Sequence, residues 1–192
     1  MRPRQPLPRL WLMTDERMGE DLWDALARLP RGSGVIFRHY ATRDRRALFD
    51  RVRSVARKRR LVLILAGTPG EAVAWRADGA HGRSPHRRAS RPLLRTASAH
   101  DAGELVTVKT DAVLLSPVFA TRSHQGRPPL GPIRFGMLAQ MAVVPVIALG
   151  GMDASRFRCL ARLGAYGWAG IDAFSGSRGP VHAPAQPRRS AR

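Results

Sequence analysis

Two consecutive glycines stand at a point where the chain could bind a phosphate. Gly150 and Gly151 follow the apolar segment Val144–Leu149 and precede a helical pattern. Glycine at such a junction lets backbone N–H groups approach a phosphate closely, and the dipole of the following helix favours negative charge. A tight turn that binds nothing is the alternative. If Val144–Leu149 is the seventh strand of an eight-stranded barrel, a phosphate site is favoured, because the loops after strands seven and eight usually hold it.

Small hydroxyl residues follow the preceding apolar segment. Thr121 and Ser123 lie in the loop after Ala112–Ser116. Their hydroxyl groups and the backbone amides of the loop could contribute to the same phosphate site. The alternative is a mobile loop whose polar residues only face water.

Charged and polar residues end the first two apolar segments of the chain. Thr14 and Asp15 follow Leu10–Met13, and at the carboxyl end of a barrel strand they would face the usual active-site mouth. Capping the next helix is an equally good role for this pair. Arg38 follows Gly34–Phe37, where its guanidinium could reach an anionic ligand. A solvated arginine is the alternative.

The segments that must position these residues are short and continuously apolar, as in parallel strands that are covered on both faces. Eight strands are predicted: Leu10–Met13, Gly34–Phe37, Leu61–Leu65, Gly79–His81, Leu93–Ala97, Ala112–Ser116, Val144–Leu149 and Trp168–Ile171. Helical patterns fill six of the intervals: Asp21–Leu29, Arg45–Ala56, Pro69–Arg76, Asp101–Val108, Ile133–Met141 and Ala154–Leu163. This alternation predicts the α/β class and a single (β/α)8 TIM barrel.

In two segments of the predicted barrel the sequence gives little indication of a helix. Ser84–Arg91 has little apolar periodicity, so a helix there should be short or absent. Ser175–Arg192 is rich in Gly, Pro, Ser and Arg and predicts a disordered tail, which leaves the last barrel helix truncated or missing. Apolar strand surface would then be exposed, so a homo-oligomer is an open alternative. The predicted organisation is a basic extension over 1–9, the barrel over 10–174 and the tail over 175–192.

Length, charge and cysteine content limit the remaining alternatives. A chain of 192 residues suits one domain. The formal net charge is +19, but the basic residues are spread along the chain, so nucleic acid is not expected as the main partner. The single cysteine, Cys159, excludes an intrachain disulfide and fits a reducing compartment. Because the N-terminal apolar segment is too short for a signal peptide or a membrane span, we expect a cytoplasmic protein with no membrane partner.

The order and spacing of several short motifs resemble the thiamine phosphate synthase/TenI family from Leu10 to Phe174. No single motif is specific, and the combination carries the resemblance. The motifs are Leu-Trp-Leu-Met-Thr-Asp at 10–15, Arg38, Ala-Asp-Gly-Ala-His at 77–81, Ser-Ala-His at 98–100, Ser-Pro-Val-Phe-Ala-Thr at 116–121, Pro-Leu-Gly at 129–131, Ala-Leu-Gly-Gly-Met at 148–152 and Gly-Ala at 164–165.

The resemblance to the synthase branch implies the joining of a pyrimidine diphosphate to a thiazole phosphate, with Mg2+ assisting the departure of pyrophosphate. It implies that Arg38 binds the diphosphate. The other diphosphate and metal positions of the family correspond to Ile36, Tyr40, Ala66, Gly67, His86 and His124, which cannot make the same contacts. We therefore expect no metal ligands and no cofactor, with Mg2+ needed only if synthase activity is retained.

The resemblance to the TenI branch implies a metal-free tautomerisation of a thiazole phosphate. A histidine after the fifth strand is the proton carrier there, and this position corresponds to His100. A near-neutral imidazole suits proton transfer at physiological pH. The alternative is that His100 caps the helix that begins at Asp101.

The resemblance also places Ile171 and Asp172 at the phosphate, where the family presents a small hydroxyl residue and backbone amides. A carboxylate there would repel the ligand unless it turns away. The leading hypothesis is a thiamine biosynthesis protein that binds thiazole phosphate or thiamine phosphate, with tautomerase or residual synthase (transferase) chemistry. The alternatives are a barrel that has lost catalysis and acts as a ligand-binding or regulatory protein and, with less support, a basic nucleic-acid-associated protein.

Overall fold

The computed structural model describes residues 6–84, 90–121 and 128–174, and these residues form eight parallel strands that close into a barrel. Each strand pairs with the next, and the eighth pairs with the first. The predicted eight-stranded TIM barrel is confirmed. The strands are β1 (Leu10–Met13), β2 (Gly34–Phe37), β3 (Val62–Ala66), β4 (Gly79–His81), β5 (Leu94–Ala99), β6 (Ala112–Leu115), β7 (Val146–Leu149) and β8 (Ala165–Gly170).

Helices lie between most strands of the described residues, close to their predicted positions. They are α1 (Asp21–Arg28), α2 (Arg45–Arg59), α3 (Pro69–Ala74), α4 (Ala102–Thr107), α5 (Gly131–Met141) and α6 (Ala154–Ala161), with 3-10 helices at Glu16–Met18 and Asp172–Phe174. Between β4 and β5, residues 82–84 and 90–93 form no helix, and residues 85–89 lie outside the described part. The predictions for the tail and the last barrel helix also fall outside it.

Local sequence explains where several of these elements begin. Thr68 and Glu71 form a reciprocal capping box at α3, because each side chain accepts a hydrogen bond from the backbone N–H of the other. The predicted β7 began too early, since the strand starts at Val146. Pro145 has no backbone N–H to donate to the sheet. No helix among the described residues is long and apolar enough to span a membrane.

Alternation along the strands divides side chains between the barrel interior and the helix layer. Phe37 faces outward and meets Phe49 of α2 edge-to-face, with ring centroids 5.3 Å apart. Trp11 pairs in register with Gly34 and is fully buried inside the barrel. Its indole N–H donates to the carbonyl of Pro8 over 2.8 Å. Gly34 provides the space for this ring, because a Cβ atom there would fall on it.

We expect Gly34→Ala to lower the free energy of unfolding by about 1–3 kcal/mol, the usual cost of an extra methyl group in a packed core. Urea unfolding measures the change. Gly70→Ala is the matched control, because a Cβ at Gly70 in α3 meets nothing within 4 Å and alanine favours a helix. Equal stability of the two variants would show that the barrel accommodates the methyl group and that Gly34 is not required by Trp11.

Candidate functional site

The carboxyl ends of the strands bring charged and polar side chains together at one mouth of the barrel. Two separate groups of residues result. A charged and histidine-bearing group lies over β1, β2, β4 and β5, and a glycine pocket lies over β6, β7 and β8. In TIM barrels the active site is built from the loops at this end.

An ion-pair cluster follows β1 and β2. Asp15 binds the guanidinium of Arg38 through one carboxylate oxygen. Its other oxygen accepts hydrogen bonds from the backbone N–H of Arg17 over 3.1 Å and from Arg17 Nε over 2.6 Å. Asp15 therefore caps the 3-10 helix Glu16–Met18 and also faces the mouth, so it fills both roles considered for it from the sequence.

Thr14 turns away from this cluster. Its hydroxyl lies 2.9 Å from Nδ1 of His39 and accepts a hydrogen bond from the backbone N–H of Arg38 over 3.0 Å. The hydroxyl thus holds the start of the β2 loop against β1. Thr14 positions Arg38 and does not reach into the mouth.

The ion pairs determine the charge state of Asp15. Burial raises the pKa of Asp15, but the hydrogen bonds from Arg17 and the positive charges of Arg38 and Arg17 outweigh burial and lower the pKa to about 2. Asp15 is therefore a carboxylate at every physiological pH. Because Asp15 binds one nitrogen of Arg38, it offsets part of the positive charge that an anionic ligand at Arg38 would meet.

A buried histidine lies deeper in the barrel, at the end of β4. Nδ1 of His81 is 2.8 Å from Oγ1 of Thr96, and its Nε2 is 3.4 Å from Oγ of Ser98. Burial, with a smaller contribution from the charge of Arg38, lowers the pKa of His81 to about 4. His81 is neutral at pH 7 and acts there as a hydrogen-bonding group.

His100 follows β5 at the rim of the mouth. Its Nδ1 lies 2.7 Å from the carbonyl oxygen of Ser116. Because a carbonyl only accepts, Nδ1 carries a proton, so any proton that the ring takes up or releases is exchanged at Nε2. The capping alternative for His100 is wrong, since the Asp101 side chain caps α4 by accepting from Glu104 N over 2.8 Å.

The glycine pocket has a backbone conformation that other residues do not adopt easily. Gly150 and Gly151 have φ angles of 95° and 59°. A Cβ at Gly150 would lie 2.8 Å from Cα of Pro117, and one at Gly151 would lie 2.6 Å from the carbonyl oxygen of Ala120. The β6 loop packs on this turn through the hydrogen bonds from Val118 N to Leu149 O over 2.9 Å and from Phe119 N to Gly150 O over 3.1 Å.

These contacts line a small pocket of about 40 Å3 that opens to solvent. Four of the predicted phosphate residues besides Gly150 are brought together here: Thr121, Gly151, Ile171 and Asp172. Ser123 lies outside the described residues. Arg38 belongs to the other group at the mouth and does not line this pocket.

Asp172 lines the pocket but its side chain is exposed. The hydrogen bond with Asp15 raises the pKa of Arg17, and the negative charge of Asp172 adds to this effect. The charges of Asp15 and Asp172 therefore both act on the Arg17 guanidinium. Arg17 thus lies between the ion-pair cluster and the edge of the pocket.

The described residues do not fit Mg2+. No three His, Cys, Asp or Glu side chains among them come together in a way that could hold a metal ion. Ala66 and Gly67, at the end of β3, offer no carboxylate. Glu71, the nearest one to Gly67, is bound by Thr68 in the capping box of α3. Mg2+ requires oxygen ligands in octahedral geometry, which this set cannot provide.

Sequence reasoning missed three features of the mouth. His81 was noted only as part of a motif, although a polar residue at the end of a barrel strand is a signal for the mouth. The pairing of Asp15 with Arg38 was not predicted. Arg156 was also overlooked: it donates to the carbonyl of Gly151 and lies with Cζ 4.7 Å from the centre of the Phe119 ring, which fixes the glycine turn.

Comparisons with known proteins agree with this architecture. The model of a family described as thiamine monophosphate synthase matches residues 10–174. The chain is 30% identical to a putative thiamine-phosphate synthase 2 of Aquifex aeolicus, over 88% of this chain and 98% of that protein. It is 31% identical to a thiamine-phosphate synthase of Salinispora arenicola, over 93% and 95% of the two chains.

A solved structure is also similar. The thiamine phosphate pyrophosphorylase from Pyrococcus furiosus matches with a TM-score of 0.69 and 21% identity, over 88% of this chain and 87% of that chain. At this identity the likeness shows the fold alone.

The depressed pKa of Asp15 predicts a specific loss of stability in acid. The unfolded carboxyl takes up its proton near its ordinary pKa of 3.8, whereas the folded one does so near 2. The stabilisation, about 2 kcal/mol, is complete above pH 4 and is lost as the pH falls towards 2. We expect Asp15→Asn to lack this part of the acid dependence.

Urea unfolding between pH 5 and about pH 2 tests this expectation. Asp24→Asn, at an exposed carboxylate of α1, is the control and should keep the wild-type pH dependence. An acid profile of Asp15→Asn identical to that of the wild type would contradict the assigned ion pairs.

Proposed function

The chain belongs to the thiamine monophosphate synthase family, and we propose that it binds thiazole phosphate or thiamine phosphate at the mouth of its barrel. The observation that carries the proposal is the pocket of Gly150 and Gly151 beside Thr121 and Ile171. Both glycines are required by the backbone, and the loops after strands six, seven and eight converge on them. Such glycine turns bind phosphates through backbone N–H groups and helix N-termini.

We propose that the phosphate binds at this pocket and that the heterocycle extends towards His100. A tautomerisation needs a base that takes a proton from one ring position and a source that returns a proton at another. Nε2 of His100 suits this task, because the bond from Nδ1 to Ser116 fixes the tautomer and the orientation of the ring. The reaction is balanced, since it moves one proton and forms no net charge.

Binding without Mg2+ is part of this proposal. The described residues offer no set of oxygen ligands for the ion, and Arg38, which corresponds to the diphosphate-binding position, is paired with Asp15. Both features favour the tautomerase over the synthase. A barrel that binds the same ligand without turnover is the second candidate. In either case we propose a cytoplasmic protein, in keeping with a single cysteine and a biosynthetic family.

We expect isothermal calorimetry to show tighter binding of thiazole phosphate or thiamine phosphate than of the pyrimidine diphosphate, with and without Mg2+. The reason is that the glycine turn offers backbone N–H groups to a monophosphate, whereas the charge of Arg38, at the diphosphate-binding position, is offset by Asp15. A strong Mg2+-dependent preference for the diphosphate would contradict the proposal.

The same calorimetry, repeated with a variant of Asp172, tests whether the phosphate binds at the glycine pocket. Asp172→Ser removes a negative charge from the edge of the pocket, so affinity for the monophosphate should increase about tenfold, or by 1.4 kcal/mol. Asp24→Ser removes an equal charge from the exposed side of α1 and should change affinity much less. Weaker binding by Asp172→Ser would mean that Asp172 holds the loop in place and does not oppose the ligand.

We expect His100→Asn to reduce tautomerase turnover a hundredfold or more while leaving the dissociation constant of thiazole phosphate nearly unchanged. Asparagine can still donate a hydrogen bond to the Ser116 carbonyl, so the loop keeps its support, but it cannot carry a proton. Single-turnover kinetics and calorimetry on the same preparations separate the two effects. Equal losses of binding and turnover would make His100 a structural residue, and wild-type protein that binds without turnover would favour the second candidate.

A further inference from the structure

One helix and its end carry eight of the 33 lysine and arginine residues of the chain. Residues 45–60 contain eight basic residues and one acidic residue. The apolar residues Phe49, Val52 and Ala56 of α2 are buried against the barrel, so the basic residues occupy the remaining faces of the helix. The basic residues are dispersed along the chain as a whole, but the fold brings several of them together at this helix.

The carboxyl end of α2 carries the densest part of this charge. Arg57, Lys58 and Arg60 are exposed there. Arg31, exposed in the loop before β2, is held next to them because the N–H of Gly32 donates to the carbonyl of Arg60 over 3.0 Å. Arg59 does not contribute, since it turns inward and donates to the carbonyl of Leu29 over 3.1 Å.

One further arginine extends the surface along the helix. Arg51 is exposed and lies with Cζ 4.5 Å from the centre of the Trp23 ring of α1. A guanidinium stacked on an aromatic ring is restrained, while its N–H edge can still donate to a phosphate. We call Arg31, Arg51, Arg57, Lys58 and Arg60 the α2 basic surface.

Few acidic groups compensate this charge. Asp50 is shared by Arg46 and Arg53 at 2.8 and 3.4 Å. Asp78, whose charge acts on Arg57, uses its carboxylate to accept from Leu63 N over 2.8 Å. The acidic residues Asp21 and Asp24 of α1 lie in its first turn, beside Trp23 and so close to Arg51. They are at the end of α1 away from Arg31 and the carboxyl end of α2. The α2 basic surface therefore keeps most of its positive charge.

Helix stability alone does not explain this arrangement. Cations in the last turn of a helix interact favourably with its dipole, which accounts for Arg57 and Lys58. The helix dipole does not account for Arg31, which lies outside the helix, or for Arg51, which lies in the middle of the helix. A ligand with several regularly spaced negative charges would engage all of them.

We propose that the α2 basic surface binds the phosphodiester backbone of a nucleic acid without reading its sequence. Arginine pairs with phosphate through two parallel N–H groups, and several such contacts make binding strongly dependent on salt. An anionic membrane is disfavoured, because a helix that binds a membrane surface exposes large apolar residues, and those of α2 are buried or half-buried.

The surface lies at the amino-terminal end of the strands, since the end of α2 leads directly into β3. It is therefore remote from the glycine pocket at the carboxyl ends. The proposal is independent of the proposed function, and each can fail without the other.

Fluorescence anisotropy of a labelled 20-base-pair DNA duplex and a 20-nucleotide RNA, at several salt concentrations, tests the proposal. The variant Arg31→Gln/Arg57→Gln/Lys58→Gln should bind about tenfold more weakly near 0.1 M salt, and its salt slope should fall by about two to three. Binding of thiazole phosphate to the mouth should be unchanged.

Arg134→Gln/Arg158→Gln/Arg162→Gln is the matched control. It removes the same charge from three exposed residues on the opposite side of the barrel: Arg134 of α5, Arg158 in the last turn of α6 and Arg162, which follows α6. The affinity of this variant for either nucleic acid should fall by less than about threefold, as expected when only the net charge changes. Thermal unfolding verifies that both variants are folded.

Three outcomes would overturn the proposal. The first is an equal loss in both variants, which would show a general effect of net charge. The second is no binding of either nucleic acid by the wild type at low salt. The third is binding to phosphatidylserine vesicles that depends on the α2 basic surface while nucleic-acid binding does not.

Discussion

The register of β8 on β1, which sets Leu10 beside Trp168 and Leu12 beside Gly170, closes the barrel and determines which side chains reach its mouth. In a closed parallel barrel every strand has two partners, so no strand edge is left unpaired. Shifting this register by one residue would exchange the interior and exterior faces. Asp15 faces the mouth, and Trp168 faces outward against Phe174 with ring centroids 5.5 Å apart, only because this register holds.

The two halves of the barrel mouth would bind an anion in different ways. Over β1 and β2, the positive charge of Arg38 is offset by the carboxylate of Asp15, which stays ionised beside it. The half over β6 to β8 relies on backbone geometry, with Gly150 and Gly151 held in conformations that exclude a side chain. Under the proposed function, a ligand with one phosphate uses the glycine turn alone, whereas a ligand with two adjacent phosphates would also engage Arg38, which Asp15 already binds.

Much of the fold could be predicted from the sequence because most strands are continuous apolar runs bounded by turn residues. Leu10–Met13, Gly34–Phe37 and Gly79–His81 agree with the structure to the residue. The eighth strand was placed too late, since it begins at Ala165. Its early part alternates small and aromatic residues around Gly167, whose missing side chain admits the backbone of Arg9, and this does not resemble an apolar run.

The site was harder to predict because its contacts join residues that are distant in sequence. The glycine pair follows from its position at a strand end, and Ile171 and Asp172 follow from the family resemblance. These residues do meet in one pocket. The pairing of Asp15 with Arg38 depends on two loops being neighbours in space, which no local pattern reports. The same holds for Arg31 and Arg60, which are joined through the backbone of Gly32.

The net charge of +19 has a consequence for selectivity at the mouth. A strongly positive protein attracts every anion, but at physiological salt the attraction between exposed charges is screened within about 8 Å. The long-range field therefore raises the local concentration of all anions alike and cannot choose among them. Selection must come from short-range geometry, and under the proposed function that means the glycine turn fixed by Arg156 and Phe119. The arginines elsewhere on the surface can then serve an unselective partner without changing what the mouth accepts.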